Sequence, residues 1–314
     1  TLLFSWEGNG TSTGGIWEST PDIGAVPVNR QGILGRGGHE GVQIDDDGNI
    51  WIVEDIGGGS GTAGGTLTNN AKQPNSFLYR FVPANRSNLG AGGKLQVLQA
   101  SYQGNPVTFH AGQADADITQ PFMAALHTYG TSFPTRWITI HDTATDGTAA
   151  FNANALAKAA GGTPFKRPKN GVFRPGSRFS ELYFDETGDT NNTTSKASSG
   201  GFGSIFKLVQ SPKSDDGSIS ILYRGDSVHA GVDNIQFLTE TKLVAVEDAG
   251  DTLHAQRNAL DSAWVFDVDA NYGDPANQPL RLLAQGRDAS ATLDSWLGGS
   301  NLASFSNDGD NEIT

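Results

Sequence analysis

The chain has 314 residues, no cysteine and a formal net charge of −13. The negative charge argues against nucleic acid as a partner, because phosphate backbones are bound by surfaces rich in lysine and arginine. Without cysteine there can be no disulfide, no thiolate metal ligand and no cysteine nucleophile. The sequence contains no apolar run of about 18 residues, so no transmembrane segment is predicted. It begins at Thr1 rather than at methionine, which is typical of a mature protein without its signal peptide and predicts secretion, periplasmic or extracellular.

Two hairpins are predicted in the first third of the chain, after a short N-terminal strand. That strand is Leu2–Trp6, and we expect it to complete the last sheet of a ring. The segment His39–Gly58 predicts a β-hairpin, because apolar residues flank the turn Asp45–Gly48. A second hairpin is predicted from Phe77–Val82 and Lys94–Leu98.

Residues 101–166 do not continue this pattern. They contain the predicted strand Trp137–Asp142 and the alanine-rich run Ala149–Ala160, which predicts a helix that ends before Gly161. We expect one irregular blade here, with a helical insertion on one face.

The hairpin pattern then returns twice, as Pro168–Asp189 and as Val232–Asp251. The strands predicted after these copies are Ser204–Val209 and Ile219–Tyr223 in the second, and Ala263–Val268 and Leu280–Leu283 in the third. Four short antiparallel strands per unit of roughly 55–60 residues are typical of a propeller blade. The predicted fold class is therefore all-β, with residues 1–314 forming a single β-propeller around a central channel. The last residues, Asp310–Thr314, resemble the opening of a fourth copy.

Polar residues occupy matching positions in the three copies. Glu40, Lys169 and Asp233 stand at the heads of the copies, and an acidic pair ends the second strand of each. Those pairs are Glu54-Asp55, Asp185-Glu186 and Glu247-Asp248. In a hairpin, the start of the first strand and the end of the second lie side by side. Because the first strand of a blade is innermost, we expect these side chains to converge on the channel.

Converging carboxylates indicate a metal site. They repel one another at the low effective dielectric of a channel mouth, and Ca²⁺ binds carboxylate and amide oxygens. The predicted ligands are Glu40, Glu54, Asp55, Asp185, Glu186, Asp233, Asn234, Glu247 and Asp248, with Asp189 and Asp251 nearby. The alternative interpretation is that these residues are solvated turn residues.

The second copy carries the most specific motifs. Thr163–Val172 reads TPFKRPKNGV, and Leu182–Asn191 reads LYFDETGDTN. Both resemble the PhoX-type alkaline phosphatase family, whose members carry a TP…RPE segment at the head of a blade. Asp233-Asn234 is similar to that family's PDN segment, and Asn311–Thr314 is similar to its E-V/I-T-G segment, which adds Glu312 as a ligand. The resemblance implies a secreted propeller of six blades, or an incomplete version of it, with calcium and iron in the channel, that hydrolyses phosphomonoesters.

Two positions depart from the family pattern. The family's iron site uses a cysteine in a W-L-x-C-E-E segment, and the nearest match, Trp51–Asp55, has Val53 where the thiolate would be. The glutamate of RPE is Lys169, and an ammonium group has no lone pair for a cation. We therefore expect Ca²⁺, which needs only oxygen ligands, and the resemblance leaves iron as the alternative.

Three residues are candidates for catalysis. Lys169 and Arg167 would stabilise charge on phosphate oxygens, and His39 would act as a base or a ligand. Lys169 could equally pair with carboxylates in place of a metal, and His39 could be held by a backbone partner.

Three functions remain open from the sequence. The first is a PhoX-type phosphoesterase that acts on a small phosphoester. The second is a non-catalytic, calcium-stabilised propeller for extracellular binding or self-assembly. The third is a lactonase-like propeller, similar to the gluconolactonase and senescence-marker group.

Overall fold

The computed structural model describes residues 2–61, 70–191, 196–210, 214–257 and 259–284, in which strands are more abundant than helices. The strands are β1 (Leu2–Trp6), β2 (Gly15–Ser19), β3 (Val28–Asn29), β4 (His39–Ile44), β5 (Ile50–Glu54), β6 (Leu78–Pro83), β7 (Gly93–Tyr102), β8 (Asn105–Pro106), β9 (Phe133–Asp142), β10 (Gly171–Phe173), β11 (Glu181–Glu186), β12 (Ser204–Gln210), β13 (Asp216–Arg224), β14 (Val232–Phe237), β15 (Lys242–Glu247), β16 (Ser262–Asp267) and β17 (Leu280–Ala284). The helices are α1 (Gln31–Leu34), α2 (Ala114–Thr119), α3 (Pro121–Leu126), α4 (Thr143–Asp146), α5 (Ala153–Ala159) and α6 (Gly250–Arg257). Within these ranges no helix is long and apolar enough to span a membrane.

The three sequence copies each form a four-stranded antiparallel meander. These are β4–β7, β10–β13 and β14–β17, and within each meander every strand pairs with the next one along the chain. Every strand predicted within the copies is found. In the first copy Asp45 forms the predicted turn, since its Oδ1 accepts hydrogen bonds from the amides of Asp47 and Asn49, and Gly48 supplies a φ of +79°.

The first two meanders belong to one ten-stranded sheet. Strand β9 joins them, because it pairs with β7 on one side and with β13 on the other. At the other ends of the path, β4 lies against β10, so the sheet curves into a nearly closed barrel.

Residues 101–166 therefore provide strands and short helices rather than a blade of their own. In place of the irregular blade expected here, the region contributes β9, which pairs with the last strands of the first two meanders, β7 and β13. The predicted helix is shorter than its alanine-rich run, because Asn152 caps it by accepting a hydrogen bond from the amide of Ala155 at 2.8 Å.

The N-terminal strand was expected to complete the last sheet of the ring, but among the described residues it joins none of the three meanders. It pairs with β2 in a separate sheet, β1–β2–β3. Residues 7–14 connect the two strands and turn back on themselves, with the amide of Gly10 bonded to the carbonyl of Glu7 at 2.8 Å and the amide of Gly14 to the carbonyl of Gly10 at 2.9 Å. Strand β1 therefore pairs with the next strand in sequence. The strand lies beside β4, and Ser5 Oγ donates to the carbonyl of Glu40 at 2.6 Å.

The first strands of the three meanders lie next to one another, with β10 in contact with both β4 and β14. Aromatic side chains fill the space between the meanders. Trp51 of β5 packs edge-on against Phe173 of β10, with ring centroids 5.2 Å apart, and Tyr183 of β11 packs against Phe237 of β14 at 5.4 Å. This packing fixes the heads of β4, β10 and β14 at one end of the molecule.

Candidate active site

The heads of the three meanders meet at the side chain of Lys169. Its Nζ lies 3.2 Å from Glu40 Oε1, 3.2 Å from Asp55 Oδ2 and 3.6 Å from Asp233 Oδ2. A fourth carboxylate, Glu7, follows β1, and its Oε1 lies 3.9 Å from the same nitrogen. We call Lys169, Arg167, Glu7, Glu40, Asp55 and Asp233 the Lys169 cluster.

Backbone hydrogen bonds hold the heads in this position. The amide of Gly41 donates to the carbonyl of Lys169 at 2.9 Å, which ties β4 to the segment before β10. The amides of Asp55 and Asp248 donate to Gly38 and Gly231, each at 2.7 Å. These bonds close the open ends of the first and third hairpins, so the same local structure recurs in both copies.

Arg167 holds Asp55 from the other side. Its Nε lies 3.2 Å from Asp55 Oδ1 and its Nη2 lies 3.1 Å from Oδ2, which is a bidentate pair. The backbone at Arg167 has a φ of +56°, a conformation that costs a non-glycine residue on the order of 1 kcal/mol or more. The amide of Thr187 donates to the carbonyl of Arg167 at 2.9 Å and helps to hold this conformation. Arg167 therefore points at the cluster from a fixed backbone.

Electrostatics keep both cations of the cluster charged. Burial alone would lower the pKa of Lys169, but Asp233 and Asp55 outweigh it and raise the pKa. The pKa of Arg167 is also raised, because Asp55, Asp248 and Asp233 outweigh its burial. With Asp248, the five carboxylates around these two cations leave a formal surplus of three negative charges. Burial raises the pKa of Asp233, and the negative charges of Asp248 and Asp55 raise it further. The positive charge of Lys169 acts in the opposite direction but does not cancel the increase.

Three carboxylates of the cluster are spaced like metal ligands. Glu7, Glu40 and Asp55 each offer one oxygen, and these oxygens lie within 4.8 Å of one another. Asn234 contacts a fourth member of the cluster, since its Nδ2 donates to Asp233 Oδ1 at 3.1 Å and its Oδ1 accepts from Asn170 Nδ2 at 2.7 Å.

Glu54 lies in the core rather than in the cluster. Its Oε2 accepts hydrogen bonds from the amide of Phe77 at 3.1 Å, from the Tyr79 hydroxyl at 3.0 Å and from Asn154 Nδ2 at 3.0 Å. Its Oε1 is buried and has no hydrogen bond within the described ranges. Burial raises the pKa of Glu54 to about 7.

His39 is also in the core, packed edge-on against Tyr79 with ring centroids 5.9 Å apart. Both ring nitrogens are buried and make no hydrogen bond to any residue that the structure describes. A Cβ added at Gly37 would lie 2.6 Å from His39 Nε2 and 2.8 Å from Glu54 Oε1, so both atoms face the Gly37 backbone. Burial lowers the pKa of His39 to about 4, so its ring is neutral at pH 7. A neutral ring that is only 1% exposed does not reach a substrate in this conformation.

The acidic pair of the second copy is buried as well. Asp185 Oδ1 accepts from the amide of Asn170 at 2.7 Å, whereas Oδ2 has no partner among the described residues. Burial raises the pKa of Asp185 well above its usual range. Glu186 accepts from the amide of Lys166 at 2.7 Å and lies 3.4 Å from His127 Nε2. Asp189 pairs with the buried Lys166 Nζ at 3.2 Å.

Glu247 of the third copy is fully engaged by other groups. Its Oε2 accepts from Arg257 Nη2 at 3.0 Å and from the amide of Ser262 at 2.9 Å. Its Oε1 accepts from the amide of Ala230 at 2.9 Å and from Arg257 Nη1 at 3.3 Å. Its neighbour Asp248 is half-buried and acts on the cluster through its charge.

The predicted site residues thus fall into two groups. The structure brings together Glu40, Asp55, Arg167, Lys169, Asp233 and Asn234, with Asp248 near them. It places Glu54, Asp185, Glu186, Glu247 and His39 in separate buried networks. Glu312 and the side chain of Asp251 lie outside the described residues. Glu7 was missed by the sequence analysis, since it belongs to no repeat and no motif marks it.

Comparison with known proteins agrees with the resemblance of the second and third copies. The family model of alkaline phosphatase PhoX matches residues 67–290, well over half of the 314 residues. Arg167, Lys169 and Asp233 lie inside the matched range, whereas Glu7, Glu40 and Asp55 precede it. The comparison with curated proteins gave no match. The chain belongs to the PhoX alkaline phosphatase family.

Proposed function

We propose that this chain is a metal-dependent phosphoesterase that hydrolyses phosphomonoesters at the Lys169 cluster. Family membership supports the reaction class. The observation that carries the proposal is the meeting of side chains from separate repeats at one point, with Lys169 Nζ 3.2 Å from Glu40 and 3.6 Å from Asp233. If these side chains were only solvated turn residues, they would not be expected to converge in this way.

The donor atoms in this region fit a hard cation. Glu7, Glu40 and Asp55 offer three clustered carboxylate oxygens, and Ca²⁺ takes only oxygen ligands in proteins. Two more carboxylate oxygens, Glu54 Oε1 and Asp185 Oδ2, are buried without a hydrogen bond in the described part of the chain. Buried polar atoms are normally satisfied, so these two oxygens are candidate ligands for a cation outside the Lys169 cluster. A thiolate-bound iron does not fit, because the chain has no cysteine.

The surplus negative charge explains why a cation is needed. A phosphomonoester carries negative charge near pH 7, and three uncompensated carboxylates would repel it. A bound divalent cation supplies the opposite charge and stabilises the phosphoryl oxygens during hydrolysis.

Arg167 and Lys169 orient the substrate in this scheme. The guanidinium of Arg167 is held by Asp55 through two of its nitrogens, and its remaining nitrogen can donate to a phosphate oxygen. Lys169 adds a mobile charge next to it. Donors held in place before the reaction stabilise charge in the transition state without reorganising.

The finer features of the fold are part of the same proposal. The three meanders are blades of a β-propeller, six-bladed or an incomplete version of it, and the Lys169 cluster lies in its central channel. Adjacent inner strands β4, β10 and β14 support this arrangement. We also propose that the protein acts outside the cytoplasm, in keeping with the resemblance.

One observation favours a second candidate function. Because Lys169 already neutralises part of the carboxylate charge, the cluster could serve only to hold the blade heads together. The protein would then be a non-catalytic propeller that binds an extracellular partner or another copy of itself.

A phosphatase assay separates the two candidates. The purified protein is treated with a chelator, and hydrolysis of p-nitrophenyl phosphate is followed before and after Ca²⁺ is returned, with the metal content measured by elemental analysis. The phosphoesterase is expected to lose turnover on chelation and to regain it with Ca²⁺. No turnover of any phosphomonoester with Ca²⁺ or iron supplied would leave the binding propeller as the function.

A further inference from the structure

The ammonium group of Lys169 lies where a metal ion would be expected. The oxygens of Glu7, Glu40 and Asp55 lie within 4.8 Å of one another. Lys169 Nζ is 3.9, 3.2 and 3.2 Å from these residues, in that order. A single positive group therefore lies within 3.9 Å of all three carboxylates.

The structure fixes the position of Lys169 beside these carboxylates, and its side chain is not a mobile surface group. Its side chain is 11% exposed. Its backbone carbonyl accepts from Gly41, next to Glu40, and Pro168 restricts the chain just before it. Asp233 adds a further carboxylate at 3.6 Å.

We infer that Lys169 is a tethered counter-ion that competes with a divalent cation for the oxygens of Glu7, Glu40 and Asp55. The ammonium group and a divalent cation cannot occupy the same position among these oxygens, because they would repel each other strongly at such short range in a partly buried site. A divalent cation therefore enters only when the ammonium group swings away. This inference deepens the proposed function, since it concerns metal loading at the same site.

Once displaced, Lys169 is available to bind the phosphate of the substrate. Its flexible four-carbon stem lets Nζ leave the carboxylates while the backbone stays bonded to Gly41. Arg167 keeps its bidentate hold on Asp55. Metal loading would thus release Lys169 towards the phosphate and leave Arg167 in place, so that the second of the two substrate-binding charges appears only in the loaded protein.

Calcium titration of two variants tests the competition. Lys169→Met removes the charge and keeps the apolar stem. Lys94→Met is the matched control, because it makes the same charge change at an exposed pair with Asp142. We expect Lys169→Met to bind Ca²⁺ about tenfold more tightly than wild type, or better, by isothermal titration calorimetry, and Lys94→Met to match wild type. Equal or weaker binding by Lys169→Met would overturn the inference.

The result also separates this inference from the proposed function. If Lys169→Met binds Ca²⁺ and wild type does not, the competition is supported and metal-dependent catalysis by wild type is contradicted. If both bind Ca²⁺ equally, the competition fails and the metal requirement of the function stands.

If Lys169→Met does not fold, a second measurement on the wild-type protein tests the competition. Wild-type protein is acetylated with an amine-reactive ester, and the modification of Lys169 is measured by mass spectrometry as Ca²⁺ is raised to saturation. Displacement predicts that acetylation of Lys169 increases with Ca²⁺ while acetylation of Lys94 stays constant. Constant modification of Lys169 at every Ca²⁺ concentration would contradict it.

Discussion

Arg257 binds both carboxylate oxygens of Glu247, with Nη2 3.0 Å from Oε2 and Nη1 3.3 Å from Oε1. The two side chains are 7% and 1% exposed. The amides of Ala230 and Ser262 complete the set of donors around Glu247. Glu247 therefore links α6, the head of β14 and the start of β16. We assign it a structural role, in contrast to the metal-ligand role that its place in the repeat predicts.

Replacing Arg257 should destabilise the protein strongly. Arg257→Met leaves Glu247 buried without its counter-ion, and breaking a buried pair in this way costs about 3–5 kcal/mol. The free energy of unfolding, measured by urea denaturation, should fall by that amount. Lys242→Met is the control, because its pair with Asp267 is largely exposed and worth under about 1 kcal/mol. Equal effects of the two variants would refute the structural assignment.

Asp45 should be the one aspartate of its turn that stability depends on. It accepts from the amides of Asp47 and Asn49 and from Trp51 Nε1, the last at 2.9 Å. Asp45→Ala leaves the indole N–H without its partner and loosens the turn, at a cost of about 1–3 kcal/mol in the free energy of unfolding. The neighbouring Asp46→Ala removes an exposed side chain and should change stability by less than about 0.5 kcal/mol. If thermal or urea unfolding shows the reverse order, the turn is held in another way.

Glu181 should contribute to stability in a pH-dependent manner. Burial alone would raise its pKa, but Lys207 at 2.9 Å and Arg174 at 3.4 Å outweigh it and lower the pKa below the ordinary 4.5. The folded protein therefore binds a proton less readily than the unfolded chain. The contribution is fully present above pH 4.5 and is lost as the pH falls through the lower folded pKa.

Urea titrations at several pH values check this expectation. The difference in unfolding free energy between wild type and Glu181→Gln should be constant near neutrality, at under about 1 kcal/mol because the pair is partly solvated. It should shrink below pH 4.5. A difference that grows towards acid pH would show that the pKa of Glu181 is raised instead.

The repeat made much of the fold predictable. Apolar alternation and the Asp45–Gly48 turn mark the strands of the first hairpin, and the same spacing finds the second and third copies. The closeness of Glu40, Lys169 and Asp233 was predicted from their equivalent positions at the heads of the three hairpins, and the structure brings all three together. The sharing of β9 between two meanders could not be predicted, since strand pairing over such long sequence separations leaves no local pattern.

The candidate site was only half predictable, for a physical reason. Successive side chains of an extended segment point to opposite sides, so at most one member of an acidic pair can face the Lys169 cluster. In the first copy Asp55 meets Lys169 while Glu54 is buried. In the third copy Asp248 lies near the cluster while Glu247 is bound by Arg257. The alternation of side chains along the strand could have shown that only one member of each pair faces the cluster. The pairing of Glu247 with Arg257 could not have been predicted in this way, because Arg257 lies on a helix outside the repeat.

Phosphomonoester turnover by two matched variants tests the central claim that the Lys169 cluster is the active site. Glu40→Gln keeps the size of the side chain and removes a charge that contacts Lys169. Glu181→Gln makes the same change at the opposite end of β11 from the acidic pair Asp185-Glu186. With Ca²⁺ present, hydrolysis of p-nitrophenyl phosphate by Glu40→Gln should fall about 100-fold or more, while Glu181→Gln should keep nearly the wild-type rate. A Glu40→Gln variant as active as wild type would contradict the account.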